Sequence, residues 1–544
     1  MQPSRLAKRG NILLFLAITG FYFYGLGHLP LVGPDEPRYA EVAREMLVRR
    51  DLITPTLGGH LWFEKPVLLY WMMMAAFEFF GVSEWSARLP AAVSGLLTIV
   101  AVFWIGRHAE RNNPELKNLS FYGSLVSATS IGMVAFSRAA SFDIILTVTI
   151  TWALAFFIVY ELRGKPRSFL VGFYVFIGLA LLAKGLVGII IPAGIVGGYY
   201  VLRRRIPERT TGLSLLWGMP LALTVAAAWY APVIWQHGWP FMDRFFIQHH
   251  FARYVTSKYH HTQPVFYYLI ALPLLCLPWT ALLFDGLLKA RTWRWRREGA
   301  RDDAGDKLRV FALAWLSFPL IFFSFSNSKL PGYILPILPA AALIVGEQIT
   351  RLTSDNRSKT SMIRATAVLW LSCSILGPAY AWRFEHLAGS VAFWIAIPLL
   401  LAGTFVLIFA HQRNFAVLIA GTTLVVMITV LHFAAPRRAD YESSKRLLEL
   451  ADAKGYSRAT IYGMQRQDRT PEFYAAGRIA YGPDGEPIIF EGSTQLIVES
   501  LRRNDVILAF VRVEDLTFLS TSHPAQFEVI GENGRFALVA VHPR

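Results

Sequence analysis

Two acidic positions stand where long apolar stretches of the chain meet polar sequence. Asp35, followed by Glu36, lies in "GPDEPRYAEVAREM", and Asp143 follows "SRAASF" at the start of another apolar stretch. A carboxylate beside membrane hydrocarbon is costly, so acids in such places are candidates for catalysis or substrate binding. The alternative is structural, because both acids also suit the first turn of a helix.

Three basic side chains lie in separate polar stretches. Arg38 follows the acidic pair, Lys65 begins "KPVLLYWMMMAAFEFFG", and Arg253 lies in "RFFIQHHFARYVTSKYHH". Cations brought from distant segments to one side of a membrane would suit a bound phosphate. The alternative is that each side chain anchors its own segment at the membrane interface, with its charge in water.

A metal site is a weaker hypothesis. Glu64 precedes Lys65, and the stretch around Arg253 also supplies histidines: His249, His250, His260 and His261. A glutamate and a histidine can share a divalent cation such as zinc, but none of these residues has the short fixed spacing of a diagnostic metal site. The metal therefore remains one alternative among the roles open to these side chains.

Composition identifies the class of protein. Of 544 residues, 54% are hydrophobic, 14% are aromatic and only 17% are charged, which is too apolar for a soluble protein of this length. The formal charge of +16 comes from Lys and Arg clusters between apolar runs, so it indicates membrane topology and argues against a nucleic-acid partner. Cys276 and Cys373 both lie in apolar runs, so we expect no disulfide framework.

We predict thirteen membrane-spanning segments, each long enough for a hydrocarbon core of about 30 Å. They lie near residues 11–29, 89–106, 119–136, 143–160, 169–183, 185–202, 212–235, 264–287, 309–326, 331–350, 362–381, 390–410 and 414–434. The first is interpreted as a retained anchor rather than a cleaved signal peptide. Thirteen crossings from a cytoplasmic N-terminus place the C-terminus outside.

The basic residues support this topology. The cytoplasmic connections carry clusters such as "RRR" at 203–205 and "RTWRWRR" at 291–297, as the positive-inside rule requires. The two spans separated only by "AKG" at 183–185 stay separate, because merging them would invert every later connection. Four short external connections carry one basic residue each: Arg138, Lys184, Lys329 and Arg383.

The sequence predicts two domains. Residues 1–435 form the transmembrane catalytic domain, with interfacial helices within 33–85 and an external loop at 236–263 whose composition is typical of a binding loop. One interfacial helix follows Pro37, which fits a first helical turn, and the other follows Lys65.

Residues 436–544 form a soluble, periplasmic α/β domain. It has an amphipathic helix in "YESSKRLLELADAKG", strands in "ATIYGM" and "DVILAFVRV", and a hairpin turned at Asn533 and Gly534. It contains no nucleotide-binding motif and no Cys or His cluster, so we do not expect it to be the catalytic part.

Five motifs together resemble one known family. They are "GPDEPRYAEVAREML", "LGGHLWFEKPVLLYWMMMAAFEFFGVSEWSARLPAA", "SRAASFDIILT", "HHFARYVTSKYHHTQPVFYYL" and "NSKLPGYILPILPA". In this order, over roughly residues 10–435, the chain is similar to bacterial lipid A 4-amino-4-deoxy-L-arabinose transferases. These are undecaprenyl-phosphate-sugar-dependent glycosyltransferases of GT-C type, related to protein O-mannosyltransferases. The resemblance implies an α-helical polytopic membrane protein of that fold class.

The resemblance also implies a function. It predicts a multi-pass enzyme of the bacterial inner membrane, with its active site facing the periplasm, that moves 4-amino-4-deoxy-L-arabinose from undecaprenyl phosphate to lipid A phosphate. This modification confers resistance to polymyxin and cationic peptides. By position, Asp35 and Asp143 match the family's functional acids. The lipid-phosphate-binding side chains match Arg38, Lys65, Arg253 and Tyr333, and the metal ligands match Glu64 and His250.

Several alternatives remain open at this point. A related enzyme acting on protein or another envelope glycan would use the same donor machinery. A lipid transporter or flippase would also have many spans, although the acids lie at external ends of spans and no inverted repeat is visible. A receptor or assembly factor would use mainly the C-terminal domain. For the enzyme, a single inverting displacement without a nucleotide cofactor is the simplest scheme, because no nucleophilic side chain is indicated.

Overall fold

The computed structural model describes residues 5–245, 247, 263–293, 303–354, 361–384, 389–409, 414–465, 469–522 and 525–543. Most of these residues are helical. The helices are α1 Arg5–Phe23, α2 Asp35–Arg49, α3 Leu68–Phe80, α4 Glu84–Asn112, α5 Leu119–Thr129, α6 Ile131–Ser137, α7 Phe142–Leu162, α8 Ser168–Lys184, α9 Val187–Leu202, α10 Arg209–Met242, α11 Tyr267–Leu275, α12 Thr280–Leu288, α13 Ala304–Ser324, α14 Leu338–Ser354, α15 Ser361–Phe384, α16 Gly389–Ile408, α17 Phe415–Thr429, α18 Ala435–Glu442, α19 Lys445–Ala453, α20 Pro471–Tyr474, α21 Ser493–Arg503 and α22 Leu516–Ser522. A 3-10 segment, Pro331–Ile337, precedes α14.

Apolar helices long enough to cross a bilayer confirm the multi-pass class. In the described ranges, seven helices pass on length and hydropathy, or nine if each of two bent pairs is one span. Five shorter apolar helices accompany them. The predicted boundary at "AKG" is confirmed, because α8 ends at Lys184 and α9 begins at Val187. Gly185 between them has φ 69°, a left-handed conformation that glycine adopts without strain.

Two segments that the sequence analysis treats as single straight spans are broken helices. The segment predicted at 119–136 is α5 followed by α6, bent by 60°, because Ser130 between them is extended with ψ 131°. The segment predicted at 264–287 is α11 followed by α12, bent by 118°, and Pro278 lies in the break. Proline cannot donate the backbone hydrogen bond that would continue the helix.

The C-terminal part is built on a mixed five-stranded sheet. Its strands are β3 Ile461–Met464, β4 Ile489–Phe490, β5 Ile507–Arg512, β6 Phe527–Glu532 and β7 Phe536–Val541, and a separate pair consists of β1 Thr56–Leu57 and β2 His60–Leu61. The order is β4-β3-β5-β7-β6, with β3 parallel to both of its neighbours and β7 antiparallel to both of its neighbours, β5 and β6. The predicted hairpin at Asn533 and Gly534 is confirmed.

Alternating side chains of β5, the central strand, pack on opposite faces of this sheet. Leu508 and Phe510 belong to one buried cluster, and Ile507, Ala509 and Val511 belong to another. Helix α19 contributes to the first cluster and α21 to the second. A strand buried on both faces reads as a continuous apolar run, which explains the sequence "VILAFV".

The chain divides into two compact units that differ from the predicted domain boundary. The helical unit comprises Met1–Tyr24, Glu64–Leu69 and Leu89–Val430, and the sheet unit comprises Gly25–Phe63, Tyr70–Arg88 and Leu431–Arg544. Most of the segment between α1 and α4 therefore groups with the C-terminal sheet. The physical reason is packing of α2 on α20: Arg44 donates to the Phe473 carbonyl oxygen over 3.3 Å and lies over the Phe473 ring.

Candidate active site

Asp35 and Arg38 form an ion pair in the first turn of α2, in the sheet unit. Pro37 favours the first helical turn, and the acidic residues face the positive end of the helix dipole. Arg38 donates from Nη2 to Asp35 Oδ1 over 2.7 Å and from Nε to the Pro34 carbonyl oxygen over 2.8 Å. Its guanidinium carbon lies 5.4 Å from the centre of the Trp62 ring. The Arg38 side chain is thus held in place, whereas that of Asp35 remains 53% exposed.

Glu36, next to Asp35, forms a buried ion pair with Arg88 of the first α4 turns. Arg88 donates from Nε to Glu36 Oε1 over 3.0 Å and from Nη2 to Glu36 Oε2 over 2.7 Å. Their side chains are only 5% and 9% exposed. Losing one partner of such a pair costs about 3–5 kcal/mol. Of the adjacent acids, Glu36 is therefore structural, and Asp35 is the acid that can meet a substrate.

Asp143, Lys184 and Tyr333 lie together in the helical unit. Asp143 lies in the first turn of α7, where its backbone N–H donates to Ser141 Oγ over 3.1 Å. Lys184, the last residue of α8, forms an ion pair with Asp143 Oδ1, and its Nζ lies 4.7 Å from the centre of the Tyr333 ring. Three chain segments thus converge on one charged cluster, in which both charged side chains are less than a fifth exposed.

The backbone around Tyr333 leaves little free space beside Asp143. A Cβ atom added to Gly332 would overlap Asp143 Oδ2. Upstream, Lys329 donates from Nζ to the Ser326 and Gln263 carbonyl oxygens over 2.6 and 3.0 Å. The segment that carries Tyr333 is therefore fixed by its own lysine and by its contact with the acid.

The remaining predicted residues have less structural definition. Glu64 and Lys65 lie between β2 and α3, are partly buried and belong to the helical unit. Arg253, His250 and the other histidines of 249–261 lie outside the described residues. Within the ranges that the structure describes, no group of three or more His, Cys, Asp or Glu side chains could hold a metal ion. The hypothesis of a metal at Glu64 and His250 therefore stays a prediction.

The structure thus joins Asp35 with Arg38, and Asp143 with Tyr333. The residue patterns of the sequence predict no site role for Lys184 or Arg88. For Lys184 a signal existed, since it is a basic residue in a short external connection, where the positive-inside rule disfavours cations. Arg138, another such residue, donates to the Phe21 and Tyr24 carbonyl oxygens over 2.9 and 2.5 Å. Lys184 and Arg138 are thus both exceptions to the positive-inside rule, and both have specific partners in the structure.

Paired charges of this kind suit a substrate that carries both a sugar and a phosphate. Carboxylate oxygens accept hydrogen bonds from hydroxyl or amino groups, and guanidinium, ammonium and phenol groups donate to phosphate oxygens. Each of the two clusters contains an acid and a cation beside an aromatic ring. Chemically, the clusters can bind polar ligands of both signs and stabilise negative charge that develops on a leaving group.

Known proteins resemble this chain in sequence. Residues 64–235 match the family described as dolichyl-phosphate-mannose-protein mannosyltransferase. Undecaprenyl phosphate-alpha-4-amino-4-deoxy-L-arabinose arabinosyl transferases of Yersinia enterocolitica and Serratia proteamaculans are 31% and 32% identical, over 63% and 66% of this chain. The matches span 59% and 63% of these two relatives' own length, which is less than two thirds. The protein of the same name from Aeromonas salmonicida is 24% identical and aligns over 99% of both chains.

Solved structures show the same fold. ArnT from Cupriavidus metallidurans bound to undecaprenyl phosphate matches with a TM-score of 0.80 and 23% identity, over 98% of each chain. The apo structure of that protein matches with a TM-score of 0.78 and 24% identity. At this level of identity the likeness concerns the fold alone, and it shows that the chain shares the fold of that protein.

Proposed function

We propose that this chain belongs to the family of undecaprenyl-phosphate aminoarabinose transferases and is a glycosyltransferase that uses an undecaprenyl-phosphate-linked sugar as donor. The sugar is 4-amino-4-deoxy-L-arabinose, and the acceptor is a lipid A phosphate. The observation that carries this proposal is an exposed carboxylate, Asp35, held by the cation of Arg38. The motif that contains them belongs to a chain similar along its whole length to an arabinosyl transferase.

The basic and phenolic side chains act on the donor phosphate. In a glycosyl polyprenyl phosphate the anomeric carbon is already activated, so no nucleotide site is needed. As the sugar gains oxocarbenium character, negative charge accumulates on the departing phosphate. Arg38, Lys65 and Arg253 stabilise that charge, and Tyr333 donates a hydrogen bond to it.

Asp35 and Asp143 act on the sugar and the acceptor. If the acceptor is a hydroxyl group, Asp35 removes its proton as a general base. If the acceptor is a phosphate that is already ionised, Asp35 positions it or binds the amino group of the sugar. Asp143, whose carboxylate lies against Lys184, positions the substrate in the same way. Transfer is a single displacement with inversion at the anomeric carbon.

The proposed location is the bacterial inner membrane, with the active site and the C-terminus on the periplasmic side. This orientation rests on the prediction of thirteen crossings, and each predicted span overlaps an apolar helix or one of the bent pairs in the described ranges. Because thirteen is an odd number of crossings, the two ends of the chain lie on opposite sides of the membrane. The basic clusters at 203–205 and 291–297 lie on the cytoplasmic side in this arrangement.

For zinc or another divalent ion, we propose only the residues that would hold it, Glu64 and His250. When bound, such an ion would act as a Lewis acid toward phosphate oxygens. Among the described residues, no group of three or more His, Cys, Asp or Glu side chains could hold a metal ion, so no step is assigned to the metal. To test whether the metal is needed, sugar transfer is measured with protein dialysed against a chelator and with the same protein after zinc is restored.

Reconstitution in liposomes tests the reaction itself. Purified protein receives labelled aminoarabinosyl undecaprenyl phosphate and lipid A, and the experiment measures sugar on lipid A and donor translocation. We expect transfer by the wild type and at least a hundredfold loss in Asp35→Asn, with Asp484→Asn in an exposed turn as the matched control. Translocation without transfer would identify a flippase, and transfer by Asp35→Asn at the wild-type rate would remove Asp35 from the mechanism.

A second acceptor class has support from the family match. The match of residues 64–235 to a protein mannosyltransferase family favours an enzyme that glycosylates protein. An enzyme that acts on another envelope glycan belongs to the same alternative class. Mass spectrometry of lipid A, from cells with and without the protein under inducing conditions, separates the two candidates. Aminoarabinose that depends on this protein supports the lipid A acceptor, whereas unchanged lipid A favours the second class.

A further inference from the structure

The loop that leads into α2 is held by side chains rather than by secondary structure. Arg88 donates from Nη1 to the carbonyl oxygens of Leu26 and Leu29 over 2.8 and 2.6 Å, and from Nη2 to that of Pro30 over 2.8 Å. With its two bonds to Glu36, Arg88 uses all five of its N–H donors. This arginine therefore fixes the carbonyl groups of the loop.

The N–H groups of the same loop have different partners. The N–H of Val32 donates to Glu36 Oε2 over 3.1 Å. The N–H of Leu31 donates to the hydroxyl of Tyr474 over 2.7 Å, and Leu31 itself is fully buried. Tyr474 is the last residue of α20, more than 440 positions away in the sequence. One side chain of the C-terminal part thus completes the hydrogen bonding of the loop.

Tyr474 is itself oriented by a charged pair. Its hydroxyl donates to Glu84 Oε1 over 3.1 Å, and the same oxygen accepts from Lys445 Nζ over 2.6 Å. The Lys445 ammonium also lies 5.8 Å from the centre of the Tyr474 ring. Burial, with Glu84 as the next cause, raises the pKa of Tyr474 above its ordinary value, so the hydroxyl keeps its proton. The phenol can then accept from Leu31 and donate to Glu84 at once.

We propose that Tyr474 is a positioning residue, through which the C-terminal part of the chain sets the loop that leads into α2, the helix whose first turn carries Asp35 and Arg38. Only three residues separate Leu31 from Asp35, so a shift of the loop is transmitted directly to the acid. Removing the hydroxyl leaves the N–H of Leu31 buried without an acceptor, and a buried unsatisfied donor favours opening of the segment. The effect on transfer rests on the function proposed above, whereas the effect on the loop does not.

Two tyrosine variants separate this role from general stability. Tyr474→Phe removes one hydroxyl and keeps the ring. Tyr462→Phe is the matched control, because its hydroxyl also donates to a glutamate, Glu499 over 2.9 Å, within the same unit but away from the loop. Hydrogen exchange of full-length protein in detergent reports on residues 26–38. The reconstituted transfer assay gives kcat and the KM for the donor.

We expect exchange in 26–38 to accelerate about tenfold or more in Tyr474→Phe and to stay at the wild-type rate in Tyr462→Phe. We also expect kcat to fall about tenfold with donor KM within about twofold, since other side chains still hold the phosphate. Unchanged exchange in the loop, or equal acceleration over the whole sheet unit, would overturn the proposal. If the wild type transfers no sugar, the proposed function fails, while the exchange result still decides whether Tyr474 holds the loop.

Discussion

At the scale of single residues, Lys184 shows most clearly which parts of the candidate site can be predicted from sequence and which cannot. It pairs with Asp143 and lies over the Tyr333 ring, yet in the sequence it is one basic residue in a short connection. Acids at the start of apolar helices could be predicted as site residues because their desolvation is costly. Their partners could not, because pairing depends on how distant helices approach each other. Hydropathy contains no information about that approach.

Replacing Lys184 tests whether the Asp143 cluster is functional. In Lys184→Met the carboxylate loses its cation and moves or rehydrates, so we expect transfer to fall by at least about tenfold, equivalent to ~1.4 kcal/mol in the barrier. Lys165→Met is the control, because Lys165 also forms an ion pair, with Glu208, at the connection between α7 and α8. Equal activity of the two variants would show that transfer does not depend on the ion pair between Lys184 and Asp143.

Gly332 offers a second test of the same cluster. A methyl group there would displace the Asp143 carboxylate, so Gly332→Ala should reduce transfer while the protein still purifies as a monodisperse species. Gly197→Ala, in α9, is the matched substitution, because an added Cβ at Gly197 meets no atom within 4 Å. Initial rates in the reconstituted assay compare the two. Wild-type activity of Gly332→Ala would show that the position of this carboxylate is not critical.

At the scale of elements, local signals were reliable where one helix or strand explains them. The spacing after Pro37 predicted α2, and Asn533 with Gly534 predicted the β6–β7 hairpin, where Gly534 has φ 87°. The breaks between α5 and α6 and between α11 and α12 were missed. Apolar composition continues across both breaks, so hydropathy alone treats each pair as one span.

Two buried glutamates at the contact of α2 with α20 predict a pH dependence of stability. Burial raises the pKa of Glu41 and of Glu472 from the ordinary 4.5 to about 7, although Arg44 and Arg469 respectively oppose the shift. The other charged groups that act on Glu41 are Glu45 and Glu472, and those that act on Glu472 are Arg38 and Glu486. Both carboxyls therefore favour the protonated form in the folded protein.

The sign follows from linkage. Between pH 4.5 and about 7 the unfolded chain has lost these protons and the folded chain keeps them, so stability falls as pH rises and levels off above pH 7. We expect Glu41→Gln with Glu472→Gln to flatten this slope in thermal unfolding measured in detergent from pH 5 to 8. Glu499→Gln is the control, because the hydrogen bond from Arg502 lowers the pKa of Glu499 to about 2, outside this window. An unchanged slope in the double variant would contradict the assignment.

At the scale of the whole molecule, the sequence predicts which segments are membrane helices and which form the C-terminal sheet. It predicts less well which segments group together in one compact unit. Hydropathy separated membrane helices from the C-terminal sheet because burial in lipid and burial in a sheet core select different residue patterns. It could not assign Gly25–Phe63 to the sheet unit, since that grouping depends on side chains such as Arg44 and Tyr474 meeting across the fold.

The thirteen-span topology predicts which connections are accessible from outside the cell membrane. In a background without Cys276 and Cys373, a membrane-impermeant maleimide should label Asp484→Cys, in an exposed turn of the C-terminal part, in intact spheroplasts. Ile206→Cys, at an exposed position between α9 and α10, should react only after lysis. Labelling of both on one side would mean an even number of crossings between them.

The packing of α2 on α20 has a consequence for biosynthesis. Ribosomes add about 5–20 residues per second, so the segment around Asp35 is made roughly 20–90 seconds before Tyr474 leaves the exit tunnel. During that interval the early loop lacks the partner that completes its hydrogen bonds. Nascent protein should therefore mature late, in a final docking step, and chains truncated before α20 should be efficient substrates for quality-control proteases.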